Sequence, residues 1–205
     1  MDSAVIWDAE FLTAPGAPQR FWCGPDDPDP VLVQIGAVRL ALTADFAIGE
    51  SLSCVVVPRD RKGDRYPIPA FFAELTGISA RRVAEEGVEL AEGLARLKAF
   101  AAGAPIWAWG TDELNAVAVS CYLAGLAPPI PATRFGNATR LLAAAGVPVD
   151  EIHQLRSDRL AGHFGVPHPG AREHDACSDA MSTALALQHL LREGRLRAEA
   201  FVLPD

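Results

Sequence analysis

Two carboxylates stand one residue apart in the segment AVIWDAEF, at Asp8 and Glu10. Side chains alternate across a strand, so both point to one face, which Ile6 shares, while Trp7 and Ala9 point to the other. Two anions side by side at the end of an apolar strand repel each other. A hard cation between them would relieve the repulsion, and carboxylate oxygens are the donors that Mg²⁺ and Mn²⁺ prefer. The plainer alternative is a strand running out into solvent with two hydrated acids. A second cluster is HDACSDAMSTALALQHLL, from His174 to Leu191. Asp175 is placed to cap a helix that starts at Ala176. Asp179, Thr183, Ala186, Leu187 and Leu190 then recur at helical spacing, which sets Asp179 on the inward stripe. A carboxylate there is costly unless something compensates it, as a metal ion or the positive helix N-terminus would. His174 lies in the loop entering this helix, after Pro169 and Gly170. A neutral imidazole there can accept a proton near neutral pH. The third segment is WAWGTDEL, Trp107 to Leu114. A short apolar strand breaks at Gly110 and Asp112 opens a helix, where aspartate also serves simply as a cap. Glu113 is its neighbouring competitor.

These residues need elements to hold them. The pattern predicts a first strand over Ala4 to Glu10, then a polar, proline-rich loop from Thr13 to Pro30. VLVQIGAVRLAL, Val31 to Leu42, is apolar on both faces and reads as a central buried strand. Ser51 to Pro58 is a third strand, and hairpin-like connections would join all three. A short helix over Pro69 to Leu75 closes at Gly77. Leu94, Leu97 and Phe100 mark a helix over Leu90 to Ala101. A short strand over Pro105 to Gly110 and a helix over Asp112 to Leu123 follow. Further helices are expected over Asn137 to Ala145, Gln154 to Phe164 and Ala176 to Glu193. Strands first, then strand and helices in alternation, give an α/β fold around one mixed, roughly five-stranded sheet flanked by helices.

The 205 residues are half hydrophobic and 21% charged, an ordinary globular composition. The length fits one domain over 1–205. Eighteen Lys and Arg against 26 Asp and Glu leave a net charge of −8. This argues against coating long nucleic acid through a basic surface. It leaves room for a nucleic-acid enzyme whose carboxylates hold metal ions. No apolar run approaches about 18 residues, which excludes a membrane span. The opening MDSAVIWDAE lacks the basic start of a signal peptide. Cys23, Cys54, Cys121 and Cys177 form no CxxC pair and read as reduced thiols of a cytoplasmic protein.

Each of the three segments alone is a weak signal, but their order is specific. Together, AVIWDAEF, VLVQIGAVRL, FFAELTGIS, WAWG before an acid, LAGHFGV and HDACSDA resemble the DEDDh 3′–5′ exonucleases of the RNase H-like fold. The wording is most similar to the branch of enhanced-RNAi-type exonucleases and their bacterial relatives. The resemblance spans nearly the whole chain. It implies that Asp8, Glu10, Asp112 and Asp179 hold two Mg²⁺ or Mn²⁺ ions and that His174 is the general base. It also implies a substrate: the 3′ end of single-stranded RNA or DNA, or a short oligonucleotide, cut one nucleotide at a time to 5′-monophosphates. Aspartate is the family's residue at the third position, so Asp112 is preferred; a two-residue gap after the glycine would select Glu113. The family's threonine just after the first motif is displaced here to Thr13. Phe11, and with it Trp22, is the candidate stacking surface for a base. The rival readings are a catalytically weak binding module on the same fold, a proofreading-type DNA exonuclease, and a phosphatase for small phosphate esters. RNA against DNA preference, pathway and oligomeric state, a homodimer included, are left open by the sequence.

Overall fold

The structure is a computed structural model that describes residues 2–43 and 45–203. Five strands form one mixed sheet: β1 (Ser3–Phe11), β2 (Leu32–Ala41), β3 (Ile48–Val55), β4 (Ile106–Ala108) and β5 (Phe135–Asn137), in spatial order β3-β2-β1-β4-β5. β1 pairs with β2, and β2 with β3, antiparallel; β1 with β4, and β4 with β5, parallel. The helices are α1 (Ala70–Thr76), α2 (Ala80–Glu86), α3 (Leu90–Ala101), α4 (Asp112–Leu123), α5 (Thr139–Ala144), α6 (Val149–Ile152), α7 (Leu160–His163) and α8 (Ala176–Arg192). This is the α/β arrangement that the sequence pattern implies.

β1 is buried from Ala4 to Glu10 because helices cover both faces of the sheet. Ala4 and Ile6 pack with the apolar stripe of α8, including Ala180, Ala184, Leu187 and Leu190. Val5, Trp7 and Ala9 pack on the other face with Leu94 and Leu97 of α3 and Ala116 and Val117 of α4. The alternation expected for β1 therefore holds, and it aims Asp8 and Glu10 toward α8.

Several expected boundaries move. β3 begins at Ile48 and ends at Val55, where the Val56 bridge to Val88 takes over. The β1–β2 connection is a long loop with its own 3₁₀ turn at Pro18–Arg20, not a tight hairpin. α2 was not foreseen; Ser79 caps it by accepting from the Arg82 N–H. The helix expected over Asn137 to Ala145 is split, because Asn137 ends β5. Its Oδ1 accepts from the Thr139 N–H at 2.9 Å and the Gly110 N–H at 3.2 Å, which stops one element and starts the next. The helix expected over Gln154 to Phe164 does not form. Arg156 is extended (φ −129°, ψ 151°), a 3₁₀ turn covers Ser157–Arg159, and only the single turn of α7 follows.

The decisive contact for the site is the seating of α8 on β2. Gly36 lies opposite Asp8 in the β1–β2 register. A Cβ at Gly36 would meet the Cys177 nitrogen at 2.1 Å and the Ala176 carbonyl carbon at 2.2 Å. Only a glycine admits the start of α8 this close. Buried Gln34 fixes it there: its Oε1 accepts from the Ala176 N–H at 3.1 Å, and its Nε2 donates to Asp175 Oδ2 at 3.0 Å.

Gly36→Ala should therefore destabilise the protein by about 3 kcal/mol, since backbone atoms must give way. Gly49→Ala, where the nearest atom to a new Cβ is 3.9 Å away, should be close to neutral. Chemical denaturation of both variants checks this; equal midpoints would show that the α8 start is not tightly seated.

Candidate active site

Four carboxylates converge at one end of the sheet. Asp8 and Glu10 come from β1, Glu113 from the first turn of α4, and Asp179 from the first turn of α8. All four are buried, at 6%, 9%, 7% and 4% exposure respectively. They line an open cleft of about 460 Å³ together with Phe11, Thr13, Trp22, Trp109, Asp112, Arg156 and His174. Two helix N-termini point their positive ends into the same region, which offsets part of the negative charge.

The structure separates the two candidates for the third acid. Asp112 is exposed at the rim of the cleft, whereas Glu113 is buried and faces Asp8. Thr111 occupies the cap position of α4, so Asp112 and Glu113 are the first two helical residues. They point about 100° apart, and the helix phase gives the inward direction to Glu113.

Burial dominates the electrostatics. The Asp8 carboxyl is held well above its ordinary value, first by desolvation and then by the charges of Glu113, Glu10 and Asp179. Desolvation pushes Glu10 up to about 8, with Asp179 and Asp175 adding to it. Glu113 is likewise raised to about 8 by desolvation. Asp179 rises to about 7 through desolvation and the charges of Asp158 and Asp175, against a smaller opposing effect of Arg156. Glu113 Oε2 and Asp179 Oδ1 are buried with no hydrogen-bond partner among the described residues. Buried polar atoms of this kind normally have partners. An all-oxygen donor set with orphaned lone pairs suits a hard divalent cation. One donor atom each from Glu10, His174 and Asp179 also lies within 4.8 Å of the others.

His174 is half-buried and left-handed (φ 57°), which turns its ring into the cleft just ahead of α8. Such a backbone is uncommon for a non-glycine residue. The Asp175 carboxylate caps the helix behind it, accepting from the Ser178 N–H at 3.1 Å. Desolvation, then the Arg156 charge, lowers the imidazole from its ordinary value. Its Nε2 lies 3.1 Å from Arg156 Nη2. A guanidinium can only donate, so Nε2 accepts and the proton of the neutral ring sits on Nδ1. Phe11 is half-buried against Trp22, with ring centroids 5.5 Å apart, and the Trp22 Nε1–H donates to the Leu12 carbonyl at 3.1 Å.

Sequence reasoning missed Arg156 and Asp158 because it placed both inside a continuous helix. The Asp158 side chain is 3% exposed and receives Arg156 Nε at 3.1 Å. The signal was an acid followed by glycines at Gly162 and Gly165, which interrupts helical continuity.

No protein-family model and no curated protein matches the chain. Its fold is similar to that of solved nucleases. The nuclease domain of 3′hExo, a DEDDh family member bound to rAMP, superposes with a TM-score of 0.74 at 18% identity, over 96% of this chain and 95% of that one. Cell-death related nuclease 4 (CRN-4) gives 0.70 at 17%, over 95% of this chain and 65% of that one. E. coli exonuclease I in complex with a dT13 oligonucleotide gives 0.61 at 17%, over 92% of this chain and 41% of that one. The chain thus has the RNase H-like α/β fold found in these exonucleases.

The raised carboxyls make stability pH-dependent in the metal-free protein. Glu10 and Glu113 keep protons in the folded state that the unfolded chain releases near its ordinary values. Stability is therefore fullest below about pH 4.5 as far as these groups are concerned, falls as pH rises, and levels off above about 8. In EDTA the denaturation midpoint should drop between about pH 4.5 and about pH 8. Glu113→Gln should flatten part of that drop. A midpoint that climbs over this range would contradict the buried cluster.

Proposed function

We propose that the protein is a two-metal-dependent 3′–5′ exonuclease that removes nucleoside 5′-monophosphates from the 3′ end of single-stranded RNA or DNA. The observation that carries this reading is the convergence of four buried carboxylates and a neutral histidine in one open cleft. The fold supports it: similar structures include exonuclease I with a dT13 oligonucleotide and 3′hExo with rAMP.

Asp8, Glu10, Glu113 and Asp179 would hold the two ions, Mg²⁺ or Mn²⁺, with Glu113 in place of Asp112. Such ions, when bound, stabilise the attacking and leaving oxygens of a phosphodiester displacement. His174 takes the proton of the attacking water. The water oxygen forms the new bond to phosphorus, and the bond to the 3′ oxygen of the penultimate nucleotide breaks. That oxygen gains a proton and becomes the new 3′ hydroxyl. Phe11 and Trp22 offer aromatic faces to the terminal base, whose stacking requires no particular sequence. The net negative charge fits a substrate held at its end, not along a basic track.

Digestion of 5′-labelled single-stranded RNA and DNA oligonucleotides should yield a ladder shortening from the 3′ end. EDTA should abolish it, and Mn²⁺ should restore it. Glu113→Gln should lower the rate by about 10² or more, and Asp112→Asn little. Mn²⁺ should also raise the melting temperature of the wild type more than that of Glu113→Gln. Loss of rate in Asp112→Asn alone would return the third ligand to Asp112. His174→Ala should cost about 10² to 10⁴ in turnover while metal-induced stabilisation persists. A fully active His174→Ala would remove it as the base.

A further inference from the structure

We propose that Arg156 is a substrate-binding residue, which holds His174 in the unloaded cleft and releases it to bind a non-bridging oxygen of the scissile phosphate. The inference rests on the exonuclease reading above and assigns a role that the acids and the histidine leave unfilled. Among the residues lining the cleft, Arg156 is the one lysine or arginine. It is also anchored. Its Nε donates to Asp158 Oδ1 at 3.1 Å, and the Asp158 carboxylate is almost completely buried, which fixes the plane and direction of the guanidinium. The Arg156 side chain as a whole is 52% exposed and lines the cleft. One Nη2 hydrogen goes to His174 Nε2, and Nη1 makes no hydrogen bond to a described residue.

This arrangement leaves donors facing the cleft and makes the existing contact replaceable. A guanidinium binds a neutral imidazole nitrogen through one neutral acceptor. With a phosphate both partners are charged and the pairing is frequently bidentate, which makes it the stronger contact. A phosphate entering the cleft thus outcompetes His174 for Arg156. The exchange has a chemical consequence, because Nε2 cannot take a proton from water while its lone pair accepts from Arg156. Substrate binding and freeing of the base become one event. Asp158 serves as a positioning residue for Arg156, and its other carboxylate oxygen lies 3.4 Å from Arg159 Nε. The extended backbone at Arg156, which interrupts the expected helix, is what delivers the side chain to the cleft.

The test compares two short single-stranded oligonucleotides that differ only at the 3′-terminal linkage, one a phosphodiester and one a neutral methylphosphonate. Binding of 5′-fluorescein forms is read by anisotropy in Ca²⁺ for the wild type, Arg156→Ala and Arg156→Lys, with thermal melts to confirm folding. Turnover of the phosphodiester form is read in Mn²⁺. The wild type should prefer the charged linkage, and Arg156→Ala should lose about tenfold or more of that preference while binding the neutral form as the wild type does. Arg156→Lys should recover part of it, because a point charge replaces the fork. An Arg156→Ala that keeps the full wild-type preference overturns the proposal and leaves the exonuclease reading standing, provided the wild type still shortens the phosphodiester strand. A wild type that neither binds nor shortens it overturns both.

Discussion

Four carboxylates crowded into a desolvated cleft are the constraint around which the other features are arranged. Each loses hydration on burial and each repels the others, so Asp8, Glu10, Glu113 and Asp179 all hold protons more tightly than exposed acids do. The fold tolerates this through position. The starts of α4 and α8 face the cluster with their positive ends. Arg156, the one lysine or arginine among the described residues that line the cleft, sits at its edge. Buried Gln34 ties the first residue and the cap of α8 to β2, so the helix cannot retreat from the repulsion. An apolar replacement would relax all of these demands, so the cluster costs the fold stability.

Much of this was legible in the sequence, because local spacing decides it. The i, i+2 relation of Asp8 and Glu10 needs only a strand. The i, i+4, i+8 relation of Asp179, Thr183 and Leu187 needs only a helix begun at the Asp175 cap, and that cap is present. The third acid was not settled by spacing. Choosing between Asp112 and Glu113 requires the helix start to within one residue, and a shift of one residue rotates the inward direction by about 100°. Similarity to other chains pointed to aspartate at that place, whereas the helix phase turns Glu113 inward and leaves Asp112 exposed.

Arg156 and Asp158 were hidden for a different reason. Local propensity favoured a continuous helix from Gln154 to Phe164, while the tertiary structure breaks it into separate turns so that Asp158 can be buried beside α8. The aromatic wall had a similar fate. Phe11 and Trp22 could be named as ring residues, yet their contact depends on the loop conformation. That loop places Phe21 and Trp22 successively in the left-handed region, at φ 53° and 52°. No hydrophobic period reports such a turn.

The seating of α8 on Gly36 also bears on the order in which the chain becomes whole. β1 and β2 are made early and α8 late, and the cleft lacks Asp179, His174 and the Asp158 anchor until the late segment docks. Translation proceeds at about 5–20 residues per second, so an emerging chain passes several seconds with Asp8, Glu10 and Glu113 in place and their partners still inside the ribosome. The four acids are thereby kept apart until the last helix is made, and they meet in one step, when a helix start drops into the space left by an absent side chain.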